Sequence, residues 1–145
     1  MQITDVELTV NSVIDNLDEA GLPDGEPEIN IFTTGGTLTS YDAGYKLVFT
    51  ESEEGQTSTS TLTLTDGGVK LVKRGAIESD MIFREGAIIP SVYKVGPYAF
   101  DVEIRTKRIR SSIGDEGGEV QLIYSMNIGG QEKNVRMKIS ARRKR

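Results

Sequence analysis

The chain predicts an all-β fold, a single antiparallel up-and-down β-barrel of about 8–10 strands, and three observations carry that expectation. Apolar and polar side chains alternate with a period of two almost from end to end, which turns one face of each strand inward and the other to water. Gly, Asp and Glu punctuate the alternation at hairpin spacing. No segment holds a 3.6-residue apolar period for three turns. The apolar complement agrees: with five Tyr, four Phe and no Trp, the core must rest on Val, Ile and Leu, which suits pleated sheet.

The first strand is expected near 2–14, with Val6, Leu8 and Val10 facing one way and Asp5, Glu7 and Thr9 the other. Residues 12–20 have the composition for one helical turn. The acidic connection over 15–28 carries Gly21, Pro23, Gly25 and Pro27; it is long for a hairpin loop and long enough to cover a barrel mouth. A second strand is expected over 28–39. Its Thr33-Thr34-Gly35-Gly36-Thr37-Leu38 looks like the nucleophile motif of bacterial asparaginases, but those are much longer α/β proteins whose Thr needs distant partners. The Gly-Gly pair therefore reads as a bulge that coils the strand for closure.

Strands over 45–53 and 57–65 follow, bounded by Asp42-Ala43-Gly44 and Glu54-Gly55. The Thr/Ser run of 57–65 still alternates, with Leu62 and Leu64 against Thr61, Thr63 and Thr65, so it is a strand and not a linker. Asp66-Gly67-Gly68 turns the chain into 68–74, and Glu85-Gly86 separates 79–85 from 88–95. Pro90 has no amide hydrogen to give a ladder and marks a bulge, an edge or a barrel corner. Over 97–110, Tyr98, Phe100, Val102 and Ile104 oppose Asp101, Glu103, Arg105 and Lys107. Beyond Asp115-Glu116-Gly117-Gly118, the apolar sets Val120, Leu122, Tyr124, Met126, Ile128 and Val135, Met137, Ile139, Ala141 flank Gly129-Gly130, a hairpin turn in which positive φ costs little. About ten short strands in sequential hairpins close most directly into a barrel, because chain neighbours already pair. One domain over 1–145 is expected, with the basic end 141–145 frayed.

Several short motifs, in order, resemble the YwiB-like family of small bacterial proteins. They are Tyr45-Lys46-Leu47-Val48-Phe49-Thr50-Glu51, Arg74-Gly75, Met81-Ile82-Phe83-Arg84-Glu85-Gly86, Tyr93 before Pro97-Tyr98, Thr106-Lys107-Arg108, and Gly118-Glu119-Val120 leading to Tyr124. The resemblance spans about residues 3 to 141 and departs from the family pattern at Val95-Gly96-Pro97-Tyr98-Ala99. It implies a calycin-like barrel in a bacterial protein, and it supplies no activity and no catalytic residues.

Composition narrows the chemistry. With no His and no Cys, the commonest proton shuttle, metal ligand and thiol nucleophile are missing, and no disulfide can form. The opening Met1-Gln2-Ile3-Thr4-Asp5 lacks the basic start and apolar run of a signal peptide, and no apolar stretch is long enough for a membrane helix. A soluble cytoplasmic protein is expected, without cofactor or metal, as a monomer or weak dimer. No glycine cluster leads into a helix, so a phosphate-cradling loop is absent. Asp101 with Glu103, and Glu51 with Glu53, read as solvated charge on the polar parity of their strands.

Two constellations remain. Residues 1–60 hold twelve acids and one base, Lys46, whereas 61–145 hold ten acids and sixteen bases. Arg105, Lys107, Arg108 and Arg110, with Arg136, Lys138, Arg142, Arg143, Lys144 and Arg145, would form a positive stripe for a protein or nucleic-acid partner if their strands approached. Against nucleic acid stand a pI of about 4.8 and the lack of an aromatic residue between the bases. The other constellation is the barrel interior, which 8–10 strands either fill or leave open for one small molecule. Its expected ligand-binding residues are Phe83, Tyr93, Tyr98, Phe100 and Tyr124, with Arg74 and Arg84 to pair with a ligand carboxylate. Non-catalytic binding of a small apolar or amphipathic anion is the leading expectation, and the basic stripe is the alternative.

Overall fold

The computed structural model describes residues 1–53 and 55–144, so the turn residue Glu54 and the terminal Arg145 lie outside the described residues. Ten strands follow one another: β1 (Gln2–Asn16), β2 (Glu28–Tyr41), β3 (Gly44–Glu53), β4 (Gln56–Thr65), β5 (Gly68–Gly75), β6 (Ile77–Phe83), β7 (Ile88–Val95), β8 (Tyr98–Ser111), β9 (Gly117–Ile128) and β10 (Gln131–Arg143). Each pairs antiparallel with its chain neighbours, and β10 returns to β1 to close the barrel. The chain forms no helix among its described residues, and nothing there is long and apolar enough to cross a membrane as a helix. Residues 12–16, expected to open a helical turn, continue β1, because Ile14 still pairs with both Val135 and Glu28.

Inward-facing residues pack one end solid. Leu8, Leu38, Leu47, Leu62, Phe83 and Ile104 are all at most 1% exposed. This closed end collects the start of β1, the end of β10 and the β2–β3, β4–β5, β6–β7 and β8–β9 connections, while the other five connections rim the opposite, open end. At that rim Gly129 and Gly130 make the predicted tight turn with φ of 56° and 87°, the left-handed pair that a two-residue hairpin needs. The connection over 17–27 leaves the barrel at this rim. Leu17 donates its N–H to the Glu132 carbonyl at 3.0 Å, and Gln131 Nε2 donates to the Leu17 carbonyl at 3.0 Å, which fastens the loop to the β9–β10 turn.

Register corrects the reading of the glycine pair. The β1–β2 ladder runs unbroken through Val6↔Gly36 and Glu7↔Gly35, so no bulge forms there. What the site requires is space: a Cβ on Gly36 would lie 2.3 Å from the Val48 carbonyl oxygen and 2.8 Å from Leu8 Cδ1. Gly36 is also where pairing of β2 with β3 begins, opposite Phe49. The register shift that does occur lies in β8, between Thr106 and Arg108. It puts Lys107 and Arg108 both outside and restores the inward parity at Ile109, opposite Leu122. The β6–β7 turn docks there: Gly86 N–H bonds the Thr106 carbonyl at 2.9 Å, and Glu85 Oε1 accepts the Ile109 N–H at 2.8 Å.

The wall has two incomplete seams. β6 and β7 share three pairs, Ile77↔Val95, Glu78↔Lys94 and Ser79↔Tyr93, after which β7 pairs with β8 alone. Pro90 sits in that half-paired stretch, opposite Glu103, where a missing N–H costs the sheet least. At the second seam, residues 28–35 of β2 pair with β1 alone, while residues 50–53 of β3 pair with β4 alone.

Candidate ligand cavity

Above the packed end the lumen opens into a cavity of about 550 Å³. One wall, from β9, β10 and β1, is apolar: Met126, Val135, Met137, Ile139 and Val10 face it. The facing wall is mixed, with Glu51, Ser52, Lys73 and Tyr93 set among Phe49, Leu71, Ile77 and Met81. Ser60, Lys73, Ser79 and Tyr93 lie opposite one another in successive ladders across β4, β5, β6 and β7, all on the inward parity. Lys73 Nζ lies 3.4 Å from Glu51 Oε1, and the Ser60 hydroxyl donates to the same oxygen at 3.2 Å. Side-chain exposures of 17% for Lys73 and 27% for Glu51 place this ion pair inside the barrel and not on its surface. Ser79 is 3% exposed, and its hydroxyl has no hydrogen-bond partner among the described residues. The cavity reaches the side of the barrel where β2 and β3 part, with Asn30 and Phe32 on one lip and Glu51 and Ser52 on the other.

Of the expected ligand residues, Tyr93 and Tyr124 line the cavity. Phe83 lies beneath them, fully buried, with its ring centroid 4.8 Å from that of Tyr124 at 60°. Burial, and then the neighbouring Tyr93, hold the Tyr124 phenol well above the usual tyrosine range, so it is a neutral group at physiological pH. Phe100 and Tyr98 share the inward parity but stand beyond the rim, 41% and 67% exposed. Arg74 and Arg84 are outside: Arg74 bonds Asp80 Oδ1 at 2.8 Å, and Arg84 Nε reaches the Gly67 carbonyl at 3.4 Å at the closed end.

The cavity's cation is therefore Lys73, one residue before Arg74. Its signal was present in the sequence, since Val69, Leu71 and Lys73 share one parity. Glu51 likewise shares the parity of Leu47 and Phe49, which overturns its reading as solvated charge. Alternation breaks where a strand must place a polar group inside, and a strand read as half apolar and half polar hides such a residue.

The basic residues of β8 and β10 do approach, with β9 between them: Arg108, Ile123 and Arg136 share one cross-strand row, and Arg110, Gln121 and Lys138 the next. Lys138 pairs with Glu119, Arg142 with Glu7 and Arg143 with Glu116. The run expected to fray is part of the β1–β10 ladder as far as Arg143, opposite Val6.

Comparison with known proteins agrees with this architecture. The chain is 27% identical over 135 residues to an uncharacterized β-barrel protein, YwiB, of Bacillus subtilis (strain 168), covering 92% of this chain and 89% of that protein. The crystal structure of the Bacillus subtilis ywiB protein superposes with a TM-score of 0.87 at 24% identity, over 100% of this chain and 95% of that one. Residues 20–139 match the model of a domain of unknown function, DUF1934. With its β-barrel and with a family match over most of its length, the chain belongs to the DUF1934 family, whose function is unknown.

Proposed function

We propose that the barrel is a non-catalytic binding module, in the bacterial cytoplasm, for one small amphipathic anion held in its lumen in the manner of calycin-like barrels. The observation that carries this reading is Lys73, an ammonium group largely withdrawn from water on the wall of an otherwise mostly apolar cavity. A volume of about 550 Å³ suits a small organic molecule. Its apolar body would lie along Met126, Met137 and Ile139, where unbranched methionines adapt to irregular shapes. Its anionic head would take Lys73 from Glu51, which keeps the Ser60 hydroxyl as a donor. The absence of Cys fits a reducing compartment.

The test is a fluorescence titration with 1-anilinonaphthalene-8-sulfonate, an apolar anion, displaced by dodecanoate. Lys73→Met should weaken both by about tenfold, the worth of one charge-assisted hydrogen bond, and Glu51→Gln should tighten them by removing the competing carboxylate. Opposite signs from the two variants support the reading. Equal affinities in all three proteins, or no saturable binding, would sink it.

A further inference from the structure

The edge of β2 is left open, and its chemistry points to a second copy of this chain. Among the described residues, 28–35 pair with β1 on one side and with no strand on the other, so every second N–H and C=O along eight residues faces outward without a described ladder partner. Open edges are usually blunted by lysine, proline or a bulge, because they template pairing with another chain. This one carries none of those. It presents Ile29 and Ile31 on the outer face, 61% and 62% exposed, in the sequence Glu28-Ile29-Asn30-Ile31-Phe32-Thr33-Thr34-Gly35. Bare backbone and bare isoleucine on the same strand are two separate costs of leaving it uncovered.

We propose that two copies of the chain associate through this edge, their β2 strands running antiparallel about a two-fold axis near Ile31. Self-pairing is what the segment's own sequence permits. Centred on Ile31, the register sets Ile31 against Ile31, Ile29 against Thr33, Asn30 against Phe32 and Glu28 against Thr34. No like charges oppose one another, since the one ionisable residue, Glu28, falls at opposite ends of the paired stretch. The isoleucines of both copies then share one outer cluster, and the free N–H and C=O groups close a ladder. A two-fold contact is isologous and stops at two copies, which removes the edge from further pairing.

A residue that faces itself across a symmetry axis gives a stringent test. Light scattering over a concentration series should show the wild-type mass rising from 15.9 kDa towards twice that value. Ile31→Lys and Ile31→Glu should each stay monomeric, because each sets like charges together, while an equimolar mixture of the two should recover the doubled mass. Both changes sit on an exposed side chain, and circular dichroism would verify that each variant keeps the wild-type fold. In hydrogen exchange, amides within 28–35 should gain protection as wild-type concentration rises. A wild type that stays monomeric up to about millimolar concentration assigns the edge to another chain or to none and overturns the proposal. So does a dimer that survives in both variants, or a mixture that stays monomeric. Asn30, Ile31 and Phe32 of this edge also border the cavity, but the readouts here are mass and amide exchange, whereas ligand binding is read with Lys73→Met and Glu51→Gln, so the two proposals stand or fall separately.

Discussion

Gly36 shows how much one absent side chain can decide. Its backbone approaches Val48 so closely that an added methyl would sit within 2.3 Å of a carbonyl oxygen belonging to the next strand. Backbone cannot give way as a flexible side chain can. Gly36→Ala should therefore destabilise the barrel by at least about 2 kcal/mol, the scale of overpacking in a tight site, read as a fall in the thermal midpoint. The same change at Gly35 meets the far end of the Lys144 side chain and should cost much less. Two adjacent glycines in a strand were legible as a place of unusual backbone. Which of the two matters, and that the reason is proximity and not an inserted residue, depends on the neighbouring strand and is invisible in local sequence. Lys73 and Glu51 were legible in a different sense: their parity alone puts them inside, and only the habit of assigning charge to water conceals it.

Among the elements, β6 and β7 form the weakest part of the wall. Three register pairs hold them, and below those the Ser91 hydroxyl bonds the Asp80 carbonyl across the gap. Local stability follows local bonding, so strand amides of residues 80–83 and 88–92 that face this seam should exchange with solvent sooner than those of β9 and β10. Native-state hydrogen exchange would check it, and Ser91→Ala should hasten exchange there, with a global cost of about 1 kcal/mol. Uniform protection across all ten strands would contradict the account. Strand order and near-correct bounds were readable because turn residues and alternation are local signals. Pro90 was a usable warning of an incomplete ladder. The β8 register shift was also written in the chain, as the slip of apolar parity from Ile104 to Ile109. The extent of pairing between β6 and β7, or between β2 and β3, depends instead on how steeply strands cross the barrel, and no local pattern records it.

Taken whole, the molecule is a meander whose first and last strands complete it. β10 meets β1 over eleven residue pairs, from Asn16↔Lys133 to Val6↔Arg143, and Ala141 is buried in that contact. Removing residues 141–145 deletes the pairs at Leu8, Glu7 and Val6 and the bond from Lys144 N–H to the Asp5 carbonyl. That truncation should cost about 3 kcal/mol and lower the thermal midpoint by roughly 10 °C, measured by scanning calorimetry. An unchanged midpoint would mean that the seam closes without its last turn of ladder. Closure of a ten-strand meander was foreseeable from its hairpins, but the coexistence of a solid end and a hollow end was not, since filling depends on how side chains from opposite walls meet. Pairing β1 with β10 also sets the order of events during synthesis. While the ribosome still holds β10, β1 has β2 beside it and a bare edge on the other flank, so the sheet cannot close until β10 has emerged. Growing chains on one message would carry that edge exposed from the folding of β1 until the emergence of β10, and the protein's yield in the cell should depend on how promptly β10 reaches β1.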